Sequence, residues 1–279
     1  MISIRDLSFR YAGGGRDALS GINLEIPPGE FLGIIGSSGA GKSTLTYALN
    51  GIVPHHYPGD FYGSVLVNGL DTVDAGPEAL ARQAGSVFQD IDGQMVASVV
   101  EDEILFGLEN FGIPRNEIES RLEEALLAAG IQELRYRELS SLSGGQKQKA
   151  AIAAITALKP GIIILDEPTG ELDPQSSRKI FDYLRELNEK QGITIIVVEQ
   201  KIMLLCEFAK RLAVMDKGVL VREGTVTEVL QRPDILEGAG VNIPRVTTLG
   251  KALGEKGLYR GELPHNLPQA EAMMKEVLC

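Results

Sequence analysis

The apolar run Phe31-Leu-Gly-Ile-Ile35 leads straight into Gly36-Ser-Ser-Gly-Ala-Gly-Lys42-Ser43, the spacing G-x-x-x-x-G-K-[ST] of a phosphate-binding loop. This juxtaposition predicts a buried strand, a glycine-rich turn and a helix opening at Lys42, the entry unit of a nucleotide-binding α/β sheet. Across Gly36, Ser37, Ser38, Gly39, Ala40 and Gly41 the backbone N–H groups can turn inward as an anion nest, and the helix start adds the positive end of its dipole. Lys42 supplies a point charge for the β- and γ-phosphates, Ser43 a hydroxyl for Mg²⁺ and Thr44 a second hydroxyl for a phosphate oxygen. A merely flexible Gly/Ser loop needs no lysine and two hydroxyls behind an apolar strand.

The 279 residues suffice for a full α/β core with a small appendage. Lys and Arg number 27 against 38 Asp and Glu, a formal charge of −11, which disfavours nonspecific binding to nucleic acid or anionic lipid. The N-terminus, Met1-Ile-Ser-Ile-Arg-Asp-Leu, lacks the pattern of a secretory leader. The longest apolar stretches, Ala150 to Leu158 and Ile162 to Leu165, fall short of the roughly 20 residues that cross a bilayer. Cys206 and Cys279 give neither metal-ligand spacing nor a disulfide framework, so a reducing, cytoplasmic setting fits.

Short alternating patterns at Ile2 to Tyr11 and Ile22 to Ile26 predict an antiparallel β layer, and Ser64 to Gly69 and Gly85 to Phe88 predict further strands. Ile118, Leu122, Ala125, Leu126 and Ala129 fall at helical spacing, with Asn116 as cap and Gly130 as stop. Ile162 to Leu165 and Ile193 to Val198 are continuous apolar runs suited to parallel strands covered on both faces, joined by a crossover helix over Arg178 to Leu187. Asp216-Lys-Gly218 marks a hairpin, and beyond Arg232 the pattern weakens until a helical segment at Ala270 to Leu278.

Two further motifs carry chemistry. Asp166 and Glu167 end a buried strand, where an open α/β sheet presents ligands. Asp166 would hold Mg²⁺ through water, and Glu167 would orient or deprotonate the water that attacks the γ-phosphate. Leu142-Ser-Gly-Gly-Gln146 puts a hydroxyl and free backbone donors at the start of a helix over Gln146 to Leu158, a second anion site in one chain.

Together these motifs resemble the ATP-binding cassette (ABC) ATPases over about Ile2 to Leu230. The resemblance implies a P-loop NTPase fold with a RecA-like parallel sheet core, an antiparallel β subdomain and an α-helical signature subdomain. It implies a nucleotide-binding domain over 1–231, with the helical subdomain at about 92–158, and a small C-terminal extension over 232–279 that is a candidate for dimerisation. It matches Tyr11 to the aromatic residue stacked on adenine, Gln89 to the glutamine loop, Ser143, Gly144, Gly145 and Gln146 to the signature, and Glu171-Leu-Asp173 to the loop after the catalytic Glu. Ser43, Gln89 and Asp166 become the expected metal set, and Glu167, Gln200 and Gln89 the catalytic one. ATP and Mg²⁺ are the expected cofactors. In that family the signature of one subunit closes over ATP held by another, so ATP-dependent pairing with a second ATPase subunit, the same chain or a related one, is expected.

The stretch Val87-Phe-Gln-Asp-Ile-Asp-Gly-Gln-Met-Val-Ala-Ser-Val-Val-Glu-Asp-Glu103 looks more narrowly like the ATPases of energy-coupling factor importers for vitamins and transition metals. Their partners are a transmembrane coupling protein and a substrate-binding membrane protein, which would place this chain peripherally on the cytoplasmic face of the membrane. Asp90, Asp92, Glu101 and Glu103 are expected to complement arginines of the coupling helices. One departure stands out: Gln200 occupies the position where the family usually has His. Gln keeps a donor but cannot become charged, which predicts slow but measurable hydrolysis. The alternatives are a soluble ABC-superfamily ATPase of DNA repair or translation, and a non-hydrolysing regulatory module. The first lacks its coiled-coil insertion or second cassette here, and a GTPase lacks its N-K-x-D motif.

Overall fold

The continuous apolar runs become the inner strands of a six-stranded sheet. The computed structural model describes residues 1–170 and 172–278, so Glu171 and Cys279 lie outside the described residues. The chain opens with β1 (Ile2–Tyr11), β2 (Leu19–Ile26), β3 (Phe31–Ile35) and α1 (Lys42–Leu49). After α2 (Ile52–His55) come β4 (Gly59–Val67), β5 (Leu70–Asp71), α3 (Pro77–Ala81) and β6 (Ala84–Val87). A helical stretch follows: α4 (Ile91–Gln94), α5 (Val100–Asn110), α6 (Arg115–Ala129) and α7 (Gly144–Ala157). Then β7 (Ile162–Asp166), α8 (Pro174–Gln191), β8 (Thr194–Val198) and α9 (Ile202–Phe208) alternate before the hairpin of β9 (Arg211–Asp216) and β10 (Val219–Thr225). Helices α10 (Val226–Leu230), α11 (Pro233–Gly238), α12 (Arg245–Glu255) and α13 (Leu267–Leu278) complete the described chain.

The large sheet has the order β10-β9-β3-β8-β7-β6, parallel from β9 to β6, with β10 antiparallel on its edge. A second, antiparallel sheet has the order β2-β1-β4-β5. Alternate residues of the parallel strands serve two cores. Phe31, Ile35, Ile163, Leu165, Ile195 and Val197 face helices α5 to α9. Leu32, Ile34, Ile162, Ile164, Ile196 and Val198 face α1 and the antiparallel sheet. Burial on both faces is why these strands read as unbroken apolar runs.

Several element ends differ from the sequence expectation. Asn116 lies inside α6, whose cap position is Pro114 (φ −56°, ψ 136°); proline's fixed φ starts the helix without a side-chain acceptor. Gly130 does stop it, at φ 62°. Helix α8 starts earlier than Arg178, because Asp173 accepts hydrogen bonds from the N–H groups of Gln175 and Ser176 (2.9 and 3.0 Å) and Pro174 takes the first position. The weak pattern beyond Arg232 conceals α11 and α12. Leu236, Ala239 and Val241 are buried in the helix-side core, so the chain stays on the main body past residue 231.

Candidate functional site

Parallel strands deliver their C-terminal loops to one edge, and here five neighbours do so in sequence. In the order β9, β3, β8, β7, β6 they present Lys217, the phosphate loop, Gln200, Asp166 with Glu167, and Gln89. Lys217, Gln200, Glu167, Gln89 and the loop residues Ser38, Gly39, Gly41, Lys42, Ser43 and Thr44 line one cavity of about 790 Å³. Gly36, Ser37 and Ala40 of the same loop do not line the cavity.

The loop is built as a cradle. Gly41 has φ 98°, and a Cβ there would come within 2.6 Å of the Ala18 carbonyl oxygen, so a side chain is excluded both by conformation and by space. The N–H of Gly218 donates to the Ala40 carbonyl (2.9 Å), seating the β9–β10 turn against the loop. Lys42 is only 5 % exposed and donates from Nζ to the carbonyls of Gly36 (3.0 Å) and Ser37 (2.9 Å). Burial pushes its ammonium below the usual lysine value, while the charges of Glu167 and Asp166 oppose that shift. A desolvated cation whose bonds go to carbonyls alone is suited to receive phosphate oxygens.

Beneath the loop, Asp166 is 4 % exposed, and its carboxyl is pushed up by burial, against a hydrogen bond from Ser43 that lowers it. A buried carboxylate and a hydroxyl, with water and phosphate completing the set, is an all-oxygen donor group of the kind Mg²⁺ takes. Glu167 stands at φ 51°, an uncommon conformation for a residue with a side chain, fixed by its N–H donating to the Val198 carbonyl (2.8 Å). Both carboxylate oxygens accept amide hydrogens, Oε1 from Gln200 Nε2 (2.6 Å) and Oε2 from Gln89 Nε2 (3.2 Å). Behind Gln200, the buried Glu199 accepts the N–H groups of Gln200 (2.9 Å) and Lys201 (3.1 Å) and the hydroxyl of Thr169, tying the two loops together.

Tyr11 also lines the cavity, packed edge-on against Phe9 (centroids 4.9 Å) with its hydroxyl 3.0 Å from Thr44 Oγ1. The signature residues are not in this cavity. Ser143 Oγ accepts the Gln146 N–H (3.4 Å) and Gln146 Oε1 accepts the Ser143 N–H (3.0 Å), a capping box at the start of α7. Gly144 and Gly145 are the first residues of that helix.

The residues of the acidic cluster have partners within the chain, while Asp90 and Asp92 stay exposed. Asp90 caps α4 by accepting the Gly93 N–H (3.0 Å), Asp92 pairs with Lys147 (2.5 Å), and Glu101 accepts two bonds from Arg135 (3.0 and 2.5 Å). Glu103, nearly buried, accepts the N–H groups of Val96 and Ala97 (2.9 and 2.8 Å). Gln89, Asp90 and Asp92 line a second cavity of about 610 Å³ with Gly144, Lys147 and Glu167, and next to it Phe88 borders an apolar groove of about 340 Å³, lined also by Ile52, Val96, Phe106 and Leu158 among others. Gln94 ties this groove to the glutamine loop, accepting the Phe88 N–H and donating to the Ser86 carbonyl, both at 2.9 Å.

Sequence reasoning missed Arg16 and Lys217, two exposed cations lining the cavity. Asp216-Lys-Gly218 signals only a turn in the sequence; strand order is what brings Lys217 to the site. Among the described residues no helix is long and apolar enough to cross a membrane, and no cluster of three or more His, Cys, Asp or Glu is placed to hold a metal.

The sequence profile of the ABC transporter family matches residues 19–170. A relative from Caldanaerobacter subterraneus, the energy-coupling factor transporter ATP-binding protein EcfA1, is 40 % identical over 100 % of this chain and 99 % of its own length. A relative from Methanosarcina mazei is 40 % identical over 92 % of this chain, which spans 44 % of that protein. Among solved structures, cbiO1 from Clostridium perfringens, described as part of the ABC transporter complex cbiONQ, superposes with TM-score 0.75 at 33 % identity, covering 90 % of this chain and 98 % of that one. The ATP-binding cassette MJ0796, seen as a dimer in a post-hydrolysis state bound to ADP and Pi, gives TM-score 0.72 at 29 % identity over 81 % and 99 % of the two chains.

Proposed function

From its membership of the ABC transporter family, which the matched profile and the EcfA1 relative establish, we propose that this chain is the ATP-hydrolysing subunit of a membrane importer of the energy-coupling factor kind, serving a vitamin or a transition-metal ion. The observation that carries this reading is the division of the motifs. The phosphate loop, Glu167, Gln89 and Gln200 converge on one cavity, while the capped helix start at Ser143 to Gln146 lies outside it. A second cassette therefore completes the site, its signature closing over the γ-phosphate, as the dimeric state of MJ0796 supports.

In this reading the loop N–H groups and Lys42 receive the phosphates, Thr44 reaches a phosphate oxygen and Tyr11 stacks on the adenine. Ser43, Asp166 and Gln89 would hold Mg²⁺, which would neutralise phosphate charge. Glu167 takes the proton of the attacking water, its carboxylate oriented by the amides of Gln89 and Gln200. Gln200 stabilises charge more weakly than a histidine would, so turnover is slow. The groove that Phe88 borders receives a helix of the transmembrane coupling protein, and movement there reaches Glu167 through Phe88 and Gln89. The chain thus works peripherally, on the cytoplasmic face of the membrane.

The test is Glu167→Gln. Removal of a general base lowers the rate about 100-fold or more, and MgATP binding should persist in a titration with a fluorescent ATP analogue. Hydrolysis equal to that of the unaltered chain would refute the assignment, and absence of hydrolysis in both would favour a regulatory nucleotide-binding module.

A further inference from the structure

The phosphate loop is held from outside the nucleotide-binding motifs. The N–H of Ser37 donates to the carbonyl oxygen of Ala239 (3.1 Å), at the end of α11. Ser37's own carbonyl then accepts both the Ala40 N–H (3.1 Å) and Lys42 Nζ (2.9 Å). One residue, through the two peptide groups that flank its Cα, therefore links the end of α11 to the loop backbone and to the phosphate-binding lysine.

The local chemistry of α11 explains why Ala239 is free to accept. Gly240, at φ +70°, ends the helix in a left-handed turn: its N–H donates to the Glu237 carbonyl (3.0 Å) and the Val241 N–H to the Leu236 carbonyl (2.9 Å). Those bonds use carbonyls one turn back and leave the Ala239 carbonyl for Ser37. Leu236, Ala239 and Val241 are buried in the helix-side core, so the acceptor sits on a fixed support. A Cβ at Gly240 would lie 3.2 Å from Ser37 Cβ, tighter than ordinary contact.

We infer that Ala239 and Gly240 are positioning residues of the nucleotide site: they fix the backbone at Ser37, and through it the geometry in which Lys42 and the loop N–H groups meet the phosphates. The Ser37 N–H thereby serves the loop's support and not the ligand. This inference rests on the nucleotide reading of the cavity and adds a contribution from residues beyond 231.

The test is Gly240→Ala in the full-length chain, with MgATP affinity and steady-state hydrolysis measured beside a urea unfolding curve. Loss of one ordering hydrogen bond corresponds to about a fivefold change, so Kd and KM for MgATP should rise about fivefold with kcat little altered. Adding Ser37→Gly removes the opposing Cβ and should restore much of the affinity. Affinity and KM within twofold of the unaltered chain, or a fall in kcat alone, overturns the inference. If the variant fails to fold, hydrogen exchange on the unaltered chain decides: MgADP should slow exchange at Ser37 and at 239–241, and unchanged exchange at 239–241 counts as refutation. Failure of the unaltered chain to bind MgATP would instead overturn the functional reading.

Discussion

Asp166 shows how burial, the largest of several influences, sets the behaviour of a single residue. Its carboxyl is pushed above the ordinary aspartate value, so protons compete for it at a higher pH than for an exposed aspartate. Activity that needs the ionised form is therefore lost as pH falls, beginning above the usual aspartate range. A pH profile of kcat/KM should show this acid limb, and an otherwise active chain whose limb lies at the ordinary aspartate position would contradict the description. Lys42 is shifted the opposite way by the same cause, and phosphate charge would restore its affinity for the proton. Most single residues of the site were legible because their chemistry needs a particular type: Lys42, Ser43, Asp166 and Glu167 stand out by motif. Ala239 could not be read, because it acts through a backbone carbonyl that every residue carries.

Among the elements, legibility followed burial geometry. The strands at Ile162 and Thr194 were readable since both faces are covered, whereas α9 was not, being a short apolar segment without a side-chain cap. The cap of α6 was misplaced because Asn116 looks like an acceptor while Pro114 starts the helix through its ring. The acidic stretch from Asp90 to Glu103 was legible as a charged surface but not for its internal donors, Gly93, Lys147, Arg135 and the N–H groups of Val96 and Ala97, which only the folded chain brings to it. Helix α8 locks the sheet to the helices through Phe181, fully buried between Phe31 (centroids 6.3 Å) and Phe208 (5.4 Å). Phe181→Ala should lower stability by about 3–5 kcal/mol, read from urea unfolding; a loss under about 1 kcal/mol would mean that the site collapses around the gap.

The whole molecule joins a five-loop nucleotide edge to an apolar groove that Phe88 borders, and keeps its signature out of the phosphate-loop cavity. The cavity needed the strand order: no motif announces that Lys217 and Gln89 flank the same chamber, since β9 and β6 stand at opposite ends of the parallel run. Under the proposed completion of the site by a second cassette, and where that cassette is another copy of this chain, substitutions in the phosphate loop and in the signature should act on different copies. Lys42→Ala and Ser143→Arg should each abolish hydrolysis in a pure preparation, one by removing the phosphate cation and the other by blocking the face offered to the partner. Mixed together, the two variants form pairs in which an intact loop meets an intact signature. The measurement that tests the account most directly is the ATPase rate of that mixture against each variant alone and the unaltered chain. The account predicts that mixing restores a substantial part of the unaltered rate; a mixture no more active than the sum of its components, while the unaltered chain hydrolyses ATP, would contradict it.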